Sequence, residues 1–327
     1  MKLKTFAKTA GAVLMGGVVA TAMASTAQAE FPEKPVKIMV GFSAGGGTDT
    51  TARGFASYVH EAEVMNGMPA VIINKPGGSG MVAAKIVKDG EPDGYTLYMI
   101  NSGSFAAAVM SAKGKAPVDP RKDFTNLGCI SQLVTALTVH SSSPYKTAAE
   151  WVKHYKDSGE TVRWSTSGPA TMHALLGHLF LDTIGIKHQV IPFQGGSKAR
   201  GALVAQKVDA SFNGVHLTAG FENEIRVMGV PTAKRDPVNP DVPTFGEQGL
   251  PALNIAGPMC LWGPNGMPAE TVAKLEAAVK HVSGVKGFGT FMGKSKLAAF
   301  HMTSEEGTAA TNALFDTLQP VIDKIIN

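Results

Sequence analysis

Short apolar runs alternate with amphipathic segments along most of the chain. The apolar runs that predict strands lie at residues 36–42, 70–73, 95–100, 162–165, 189–193, 208–212 and 225–230. The segments with apolar residues at helical spacing lie between them, at residues 48–64, 79–88, 148–156, 171–183 and 197–206. This alternation predicts βαβ units and largely parallel sheets, in which ligands bind at the carboxyl ends of the strands.

Two longer apolar segments, about 127–139 and 253–263, are predicted to be strands that cross between two α/β blocks. The predicted domains are a discontinuous first domain of residues 30–130 and 254–327 and a second domain of residues 131–253. The last block closes with two predicted helices, one beginning at Pro268 and one with an apolar stripe at 314–325.

The start of the chain has the pattern of a secretory signal peptide. Three lysines precede an apolar stretch, and Ala27 and Ala29 then form a small-x-small cleavage site. The apolar stretch is shorter than the ~20 residues that a membrane-spanning helix needs. We therefore expect residues 1–29 to be cleaved and the protein to reach the periplasm without a membrane span of its own.

Composition narrows the class of protein further. The net charge is only +4, and the signal peptide contributes three of the lysines, so a nucleic-acid partner is not expected. Cys129 and Cys260 are too far apart in sequence for a CxxC site, which leaves either one disulfide or two buried thiols. The nine histidines show no grouping with metal-ligand spacing, so no metal site is predicted.

A glycine-rich turn follows the first predicted strand and precedes the first predicted helix. It reads Phe42, Ser43, Ala44, Gly45, Gly46, Gly47 and Thr48, with Asp49 placed to cap the turn. Bare backbone N–H groups at a helix N-terminus form an anion site, and a carboxylate is the natural small anion. The turn also matches a G-x-S-x-G nucleophile elbow at Ser43, which would indicate a serine hydrolase. Against that alternative, the turn lies on the first strand, no oxyanion segment precedes it, and no late-loop histidine stands out.

Other predicted strand ends carry hydroxyl, amide and glycine groups. These candidate ligand-binding residues are Asn101, Ser102 and Ser104; Ser165, Thr166, Ser167 and Thr171; Phe193, Gln194, Gly195 and Gly196; and Asn213. Helix capping explains one hydroxyl per helix but not a cluster of them. A G-x-G-x-x-A match at 78–83 lacks the acidic residue of a dinucleotide site, so no cofactor is predicted.

Several motifs occur in the order found in one family. They are Phe31-Pro32-Glu33-Lys34-Pro35-Val36 at the mature start, the 40–49 glycine turn, Asn74-Lys75-Pro76-Gly77-Gly78-Ser79-Gly80, Pro92-Asp93-Gly94-Tyr95-Thr96-Leu97, Lys122-Asp123-Phe124, Asp241-Val242-Pro243-Thr244 and Gly249-Leu250-Pro251. Together they resemble the solute-binding receptors of the tripartite tricarboxylate transporter family, over essentially the whole mature chain.

The resemblance implies a type 2 periplasmic-binding-protein fold: two α/β domains joined by crossing hinge strands, with the ligand in the interdomain cleft. It implies a monomer that binds an organic acid without chemistry, metal or cofactor and hands it to membrane permease subunits. One ligand carboxylate would be held by residues 43–48, 165–171 and 193–196. A receptor that signals without transport is the remaining alternative.

The chain departs from the family pattern at three places. Phe193 and Gln194 stand where the family usually has Tyr-Lys, and Asn213 stands at the usual aspartate. The family often has histidine at the position of Ala174, whereas His173 lies one place earlier and is predicted to face another direction. Fewer fixed charges favour a mono- or dicarboxylic acid over a citrate-like trianion. Aromatic acids are included, because Phe193 and Trp262 could contact a ring.

Overall fold

The computed structural model describes residues 30–326. The strands are β1 Val36–Val40, β2 Ala70–Asn74, β3 Thr96–Asn101, β4 Phe124–Leu133, β5 Thr135–His140, β6 Val162–Thr166, β7 His188–Pro192, β8 Ala210–Gly214, β9 Ile225–Gly229, β10 Gly257–Pro264 and β11 Ala298–Met302. The helices are α1 Gly47–Tyr58, α2 Met81–Lys88, α3 Ser102–Ser111, α4 Pro120–Asp123, α5 Ala148–Ser158, α6 Met172–Thr183, α7 Gly196–Val204, α8 Ala269–Gly284, α9 Lys286–Lys294 and α10 Ser304–Ile326. The predicted signal peptide, residues 1–29, lies outside the described residues.

The strands form two mixed sheets. The first has the order β11-β4-β10-β3-β1-β2, with β1 parallel to β2 and β3 and with β10 antiparallel to β3 and β4. The second has the order β7-β6-β8-β5-β9, with β6 parallel to β7 and β8. Parallel strands must be covered on both faces, which explains why β1 and β8 are almost entirely buried. Within residues 30–326, no helix is long and apolar enough to cross a membrane.

The predicted crossing at about residues 127–139 is confirmed, although it consists of two strands and not one. Strands β4 and β5 follow one another with only Val134 between them, yet β4 belongs to the first sheet and β5 to the second. The second prediction was wrong in part, because β10 lies wholly in the first sheet and residues 251–256 form no strand. In that segment the Leu253 N–H instead donates to the Pro231 carbonyl at 2.8 Å.

Most predicted strands and helices are confirmed within a few residues, but the exceptions have physical causes. Helix α3 was missed because most of its residues are buried, so it lacks the polar face that reveals an amphipathic helix. Helix α1 ends at Tyr58 instead of continuing to residue 64, and two short 3₁₀ turns follow it. Pro268 is the N-cap of α8 and not its first helical residue.

Cys129 and Cys260 form a disulfide between the neighbouring strands β4 and β10, with their Cα atoms 3.9 Å apart. Both strands belong to the first sheet, so the bond does not link the two sheets. Trp262, which sequence placed near a ligand ring, is 2% exposed and packs edge-on against Phe105 in the core of the first sheet. Trp262 lines neither of the two cavities described below.

Candidate functional site

The turn between β1 and α1 holds its shape through Asp49. The Asp49 carboxylate accepts hydrogen bonds from the Gly45 N–H at 2.8 Å, from Arg53 at 2.9 Å and from the Asn74 amide at 2.9 Å. Burial alone would raise the pKa of Asp49, but these hydrogen bonds outweigh it and lower the pKa. A side chain so fully occupied within the turn organises it and leaves the start of α1 to other partners.

Two helices begin at the cleft between the sheets without a side-chain cap. Gly46 precedes α1 and Gly195 precedes α7, and neither supplies a capping hydrogen bond. Helices α3 and α6, by contrast, are capped by Asn101 and Thr171. The first N–H groups of α1 and α7 have no partner within their helices and carry the positive end of the helix dipole. They are the groups to which an anion would bind.

Hydrogen bonds connect the loops of the two sheets along this cleft. The Ser43 N–H donates to the Gln194 carbonyl at 2.9 Å, and the Ser197 hydroxyl donates to the Ala44 carbonyl at 2.7 Å. On the other side of the cleft, the Ala170 N–H donates to the Ser79 hydroxyl at 3.1 Å. The glycine turn of the first sheet is therefore in direct contact with the α7 turn of the second.

Two cavities share Phe42 and Ser167 in their walls. The inner cavity, about 30 Å³, is lined by Phe42, Gly46, Gly47, Thr48, Asn101, Ser104, Leu133, Ser167, His173, Gly196, Asn213, Gly214, His216 and Leu217. The outer cavity, about 350 Å³, is lined by Gly41, Phe42, Gly77, Gly78, Ser79, Ser167, Gly168, Pro169, Pro192, Phe193, Gln194 and Lys198. The starts of α1 and α7 both lie at the inner cavity, whereas the outer one has more room and a lysine at its edge.

The sequence-predicted residues divide between these cavities and their surroundings. Those that line a cavity are Phe42, Gly46, Gly47, Thr48, Asn101, Ser104, Ser167, Phe193, Gln194, Gly196 and Asn213. Those in the turns that touch one another beside the cavities are Ser43, Ala44, Gly45 and Gly195. Those outside both cavity walls are Ser102, Ser165, Thr166 and Thr171.

The hydroxyl groups of the four residues outside both cavity walls contact other groups of the protein or are buried without a partner. Ser102 Oγ lies 3.3 Å from Cys260 Sγ, and Ser165 Oγ donates to the Ala199 carbonyl of α7 at 3.1 Å. Thr171 Oγ1 accepts the Ala174 N–H at 3.3 Å as the cap of α6. Thr166 is fully buried, and its hydroxyl has no hydrogen-bond partner.

Sequence reasoning missed two histidines of the inner cavity. His173, predicted to face another direction, lines the cavity from the first turn of α6, and its Nδ1 lies 2.7 Å from Thr135 Oγ1. His216 follows the carboxyl end of β8. Burial lowers the pKa of His173 to about 4, and burial with the nearby positive charges of His173 and Arg200 lowers that of His216 to about 3.

A second histidine group lies on α6 and β7, and it corrects the prediction that the histidines do not cluster. Side-chain ligand atoms of His178, Asp182 and His188 all lie within 4.8 Å of one another. The Trp164 indole N–H, always a donor, points at His188 Nδ1 at 3.2 Å, so the other ring nitrogen carries the proton and donates to Asp182 at 2.9 Å. Because a metal needs an unprotonated nitrogen, this hydrogen-bond chain competes with metal binding.

The chain is similar in sequence and in fold to several known proteins. A UPF0065 protein of Agrobacterium vitis, from the TAR-I ttuE-ttuC' intergenic region, is 32% identical over 258 residues, covering 78% of this chain and 72% of that protein. The solved R. palustris protein Rpa4515 with adipate has 25% identity and a TM-score of 0.84, covering 90% of this chain and 97% of that one. MatC from Rhodopseudomonas palustris, solved with bound malate, has 27% identity and a TM-score of 0.81, covering 89% of this chain and all of that one.

These likenesses confirm the two-domain type 2 periplasmic-binding-protein fold that the sequence predicts. A sequence profile described as "Tripartite tricarboxylate transporter family receptor" (TctC) matches residues 57–325. The profile covers most of the chain, and the glycine turn at 40–49 that resembles the family ends before the matched region, with residues 50–56 between them. The protein therefore belongs to the receptors of the tripartite tricarboxylate transporter family.

Proposed function

We propose that this receptor captures a small mono- or dicarboxylic acid in the periplasm and passes it to membrane permease subunits. The observation that carries the proposal is the meeting of two uncapped helix N-termini, those of α1 and α7, at one inner cavity. A carboxylate placed there accepts hydrogen bonds from N–H groups that have no partner within either helix. The binding needs no metal, cofactor or covalent step.

The charge of the cavities supports the choice of acid. Neither set of lining residues contains aspartate or glutamate, and Lys198 is the one lysine or arginine in either set. A trianion would carry more negative charge than the cavities can pair with cations. The free-energy cost of its desolvation would then exceed the favourable interactions that the cavities offer. An acid with one or two carboxylates fits better, with the second group directed toward Lys198. Phe193, in the wall of the outer cavity, offers an aromatic ring that suits an aromatic acid as well.

Two lobes that move relative to one another would let the acid enter. The first sheet takes its strands from residues 36–133 and 257–302, and the second from 135–229. We therefore move the proposed domain boundary from residue 130 to Val134, and we place the return connection at 251–256. Such a receptor would act as a monomer and present one docking face per lobe to the permease.

The serine-hydrolase alternative has little geometric support. The Ser43 hydroxyl lies 2.9 Å from the Ser197 hydroxyl, and in residues 30–326 no hydrogen bond joins Ser43 to a histidine. The nucleophile of a serine hydrolase needs an adjacent base. The signalling alternative is separated genetically: deletion of the receptor should abolish uptake, whereas loss of a transcriptional response with uptake intact would favour sensing.

A screen of aliphatic and aromatic acids by thermal shift tests the proposal, because a ligand that binds only the folded state raises its stability by about 2.7 kcal/mol at a hundredfold excess over Kd. Gly47→Ala is the diagnostic variant. Its Cβ would lie 2.5 Å from His216 Nε2 and 2.9 Å from a Leu133 methyl, so the substitution disturbs the wall of the inner cavity, which all three residues line. Gly201→Ala in α7 is the matched control, because nothing lies within 4 Å of its Cβ.

We expect at least one acid to stabilise the wild-type protein and the Gly201→Ala control, and to stabilise Gly47→Ala much less. The absence of any shift with mono- and dicarboxylic acids, or an equal shift in all three proteins, would contradict the proposed site.

A further inference from the structure

Three polar side-chain atoms at the inner cavity are buried and have no hydrogen-bond partner. They are Asn213 Oδ1 and both ring nitrogens of His216. Asn213 is 3% exposed and His216 is 8% exposed, and both residues line the cavity. Leaving such groups unpaired is costly, so their presence at one cavity indicates that a ligand binds beside them.

The hydrogen-bonding roles of these atoms can be assigned. Asn213 Nδ2 donates to Ser211 Oγ at 2.6 Å, so Oδ1 is the amide atom without a partner, and it can only accept. Burial and the positive charge of Arg200 keep His216 neutral, with one donor and one acceptor nitrogen. The two side chains therefore offer two acceptors and one donor.

A carboxylate alone cannot complete this set, because an ionised carboxylate accepts hydrogen bonds and donates none. Its oxygens suit the uncapped starts of α1 and α7 and the donor nitrogen of His216. Asn213 Oδ1 and the second His216 nitrogen would still lack a donor. The captured acid must therefore bring a donor of its own.

The electrostatics of the cavity decide which donor that is. An ammonium group would face the positive ends of two helices, and no aspartate or glutamate lines the cavity to balance its charge. A hydroxyl is neutral, donates one hydrogen bond and accepts two. It can donate to Asn213 Oδ1 while accepting from the donor nitrogen of His216, so that only the acceptor nitrogen of His216 keeps no partner, and its burial requires no counter-charge.

We infer that the inner cavity recognises a hydroxyl beside the bound carboxylate, so that the ligand class is hydroxycarboxylic acids. The inference rests on the proposed function and narrows it, because it separates hydroxy acids from the corresponding acids without the hydroxyl. His216 and Asn213 are then the residues that determine this specificity. The remainder of the acid extends past Phe42 and Ser167 into the outer cavity.

Calorimetry with three matched pairs tests the inference: malate against succinate, lactate against propionate, and mandelate against phenylacetate. In the pair that binds, we expect the hydroxy acid to bind roughly 5- to 150-fold tighter, which is the cost of leaving a buried acceptor unpaired. Asn213→Ala should reduce that ratio toward one. Asn312→Ala, at an exposed position of α10, should keep it.

The outcomes separate the two proposals. Equal affinity within every pair that binds overturns the hydroxyl inference and leaves acid capture intact. Tighter binding of aspartate than of malate also overturns it, because the donor would then be an ammonium group. If none of the six acids binds the wild-type protein but another acid of the thermal-shift screen does, the hydroxyl inference is overturned and acid capture stands. If no acid binds in either experiment, both are contradicted.

Discussion

The hydroxyl oxygens of Ser43 and Ser197 lie 2.9 Å apart, although 154 positions separate the two residues in sequence. Ser43 belongs to the glycine turn of the first sheet and Ser197 to the first turn of α7 on the second. The contact brings the uncapped starts of α1 and α7 to the same cavity. It links the geometry of the candidate site to the closeness of the two lobes, and the first prediction follows from it.

Gly195→Ala should hold the two turns apart. Gly195 has a φ of +147°, and a Cβ there would lie 2.3 Å from the Ser43 hydroxyl oxygen. We expect the close approach to be lost at a cost of about 1–3 kcal/mol, a typical penalty for overpacking. Acid affinity should fall, and the radius of gyration in small-angle scattering should rise.

Gly201→Ala, which adds the same methyl group where nothing is within 4 Å, should leave both quantities unchanged. A Gly195→Ala protein that is as compact as wild type and binds the acid equally well would show that the contact does not matter for closure.

Lowering the pH from 6.5 to about 4 should destabilise the fold through His173 and His216. The unfolded chain protonates each imidazole below about pH 6.5, whereas burial lowers the pKa of His173 to about 4 and that of His216 to about 3. In this window the unfolded state binds more protons than the folded state. The free energy of unfolding therefore decreases as the pH is lowered, by up to about 1.4 kcal/mol per pH unit for each imidazole.

Urea unfolding at several pH values measures this slope. Replacing His173 and His216 by glutamine should flatten it between pH 6.5 and 4.5. His281→Gln is the matched control, since His281 is exposed on α8, and it should keep the wild-type slope. A slope that is the same in all three proteins would mean that the two imidazoles titrate normally in the folded state.

Asp49→Ala should destabilise the glycine turn without removing a ligand contact. The 3% exposed carboxylate holds the Gly45 N–H, Arg53 and Asn74, and each hydrogen bond to a charged group is worth about 1.5–3 kcal/mol. We expect a loss of at least about 2 kcal/mol in urea unfolding at pH 7, together with weaker acid binding.

Asp157→Ala provides the comparison. Asp157 pairs with Lys153 one turn away, and both side chains are largely exposed, so its loss should cost no more than about 0.5 kcal/mol. Similar losses in the two variants would contradict the organising role given to Asp49.

Reduction of the Cys129–Cys260 disulfide should destabilise the protein by roughly 2–4 kcal/mol, because the bond restricts the unfolded chain. It should leave acid affinity unchanged, since β4 and β10 are already neighbours in the first sheet. Urea unfolding and calorimetry with and without a reductant check the two parts. A large change in affinity on reduction would show that the bond controls the movement of the lobes after all.

The sequence predicted the sheets and the glycine turn well, because both rest on local patterns. Buried parallel strands are short and apolar, and a glycine-rich segment between a strand and a helix has few other interpretations. The pairing of Cys129 with Cys260 could not be decided in this way. It depends on β4 and β10 being adjacent, and 131 positions separate the two cysteines.

The side chains of the site were harder to predict than its backbone. Ser165 looked like a ligand contact because it ends a strand, but its hydroxyl turns toward the Ala199 carbonyl. His216 carried no periodic signal, although its place just after β8 put it at the carboxyl end of a strand, where ligands bind. Which hydroxyls and imidazoles reach the cavity depends on the approach of the second sheet, which no local pattern contains.

A crystal structure of residues 30–327 with the acid that gives the largest thermal shift tests the central claim most directly. We predict a carboxylate at the inner cavity, with its oxygens about 2.7–3.2 Å from backbone N–H groups at the starts of both α1 and α7. A carboxylate bound elsewhere, or held only by side chains while the starts of α1 and α7 contact water, would contradict it.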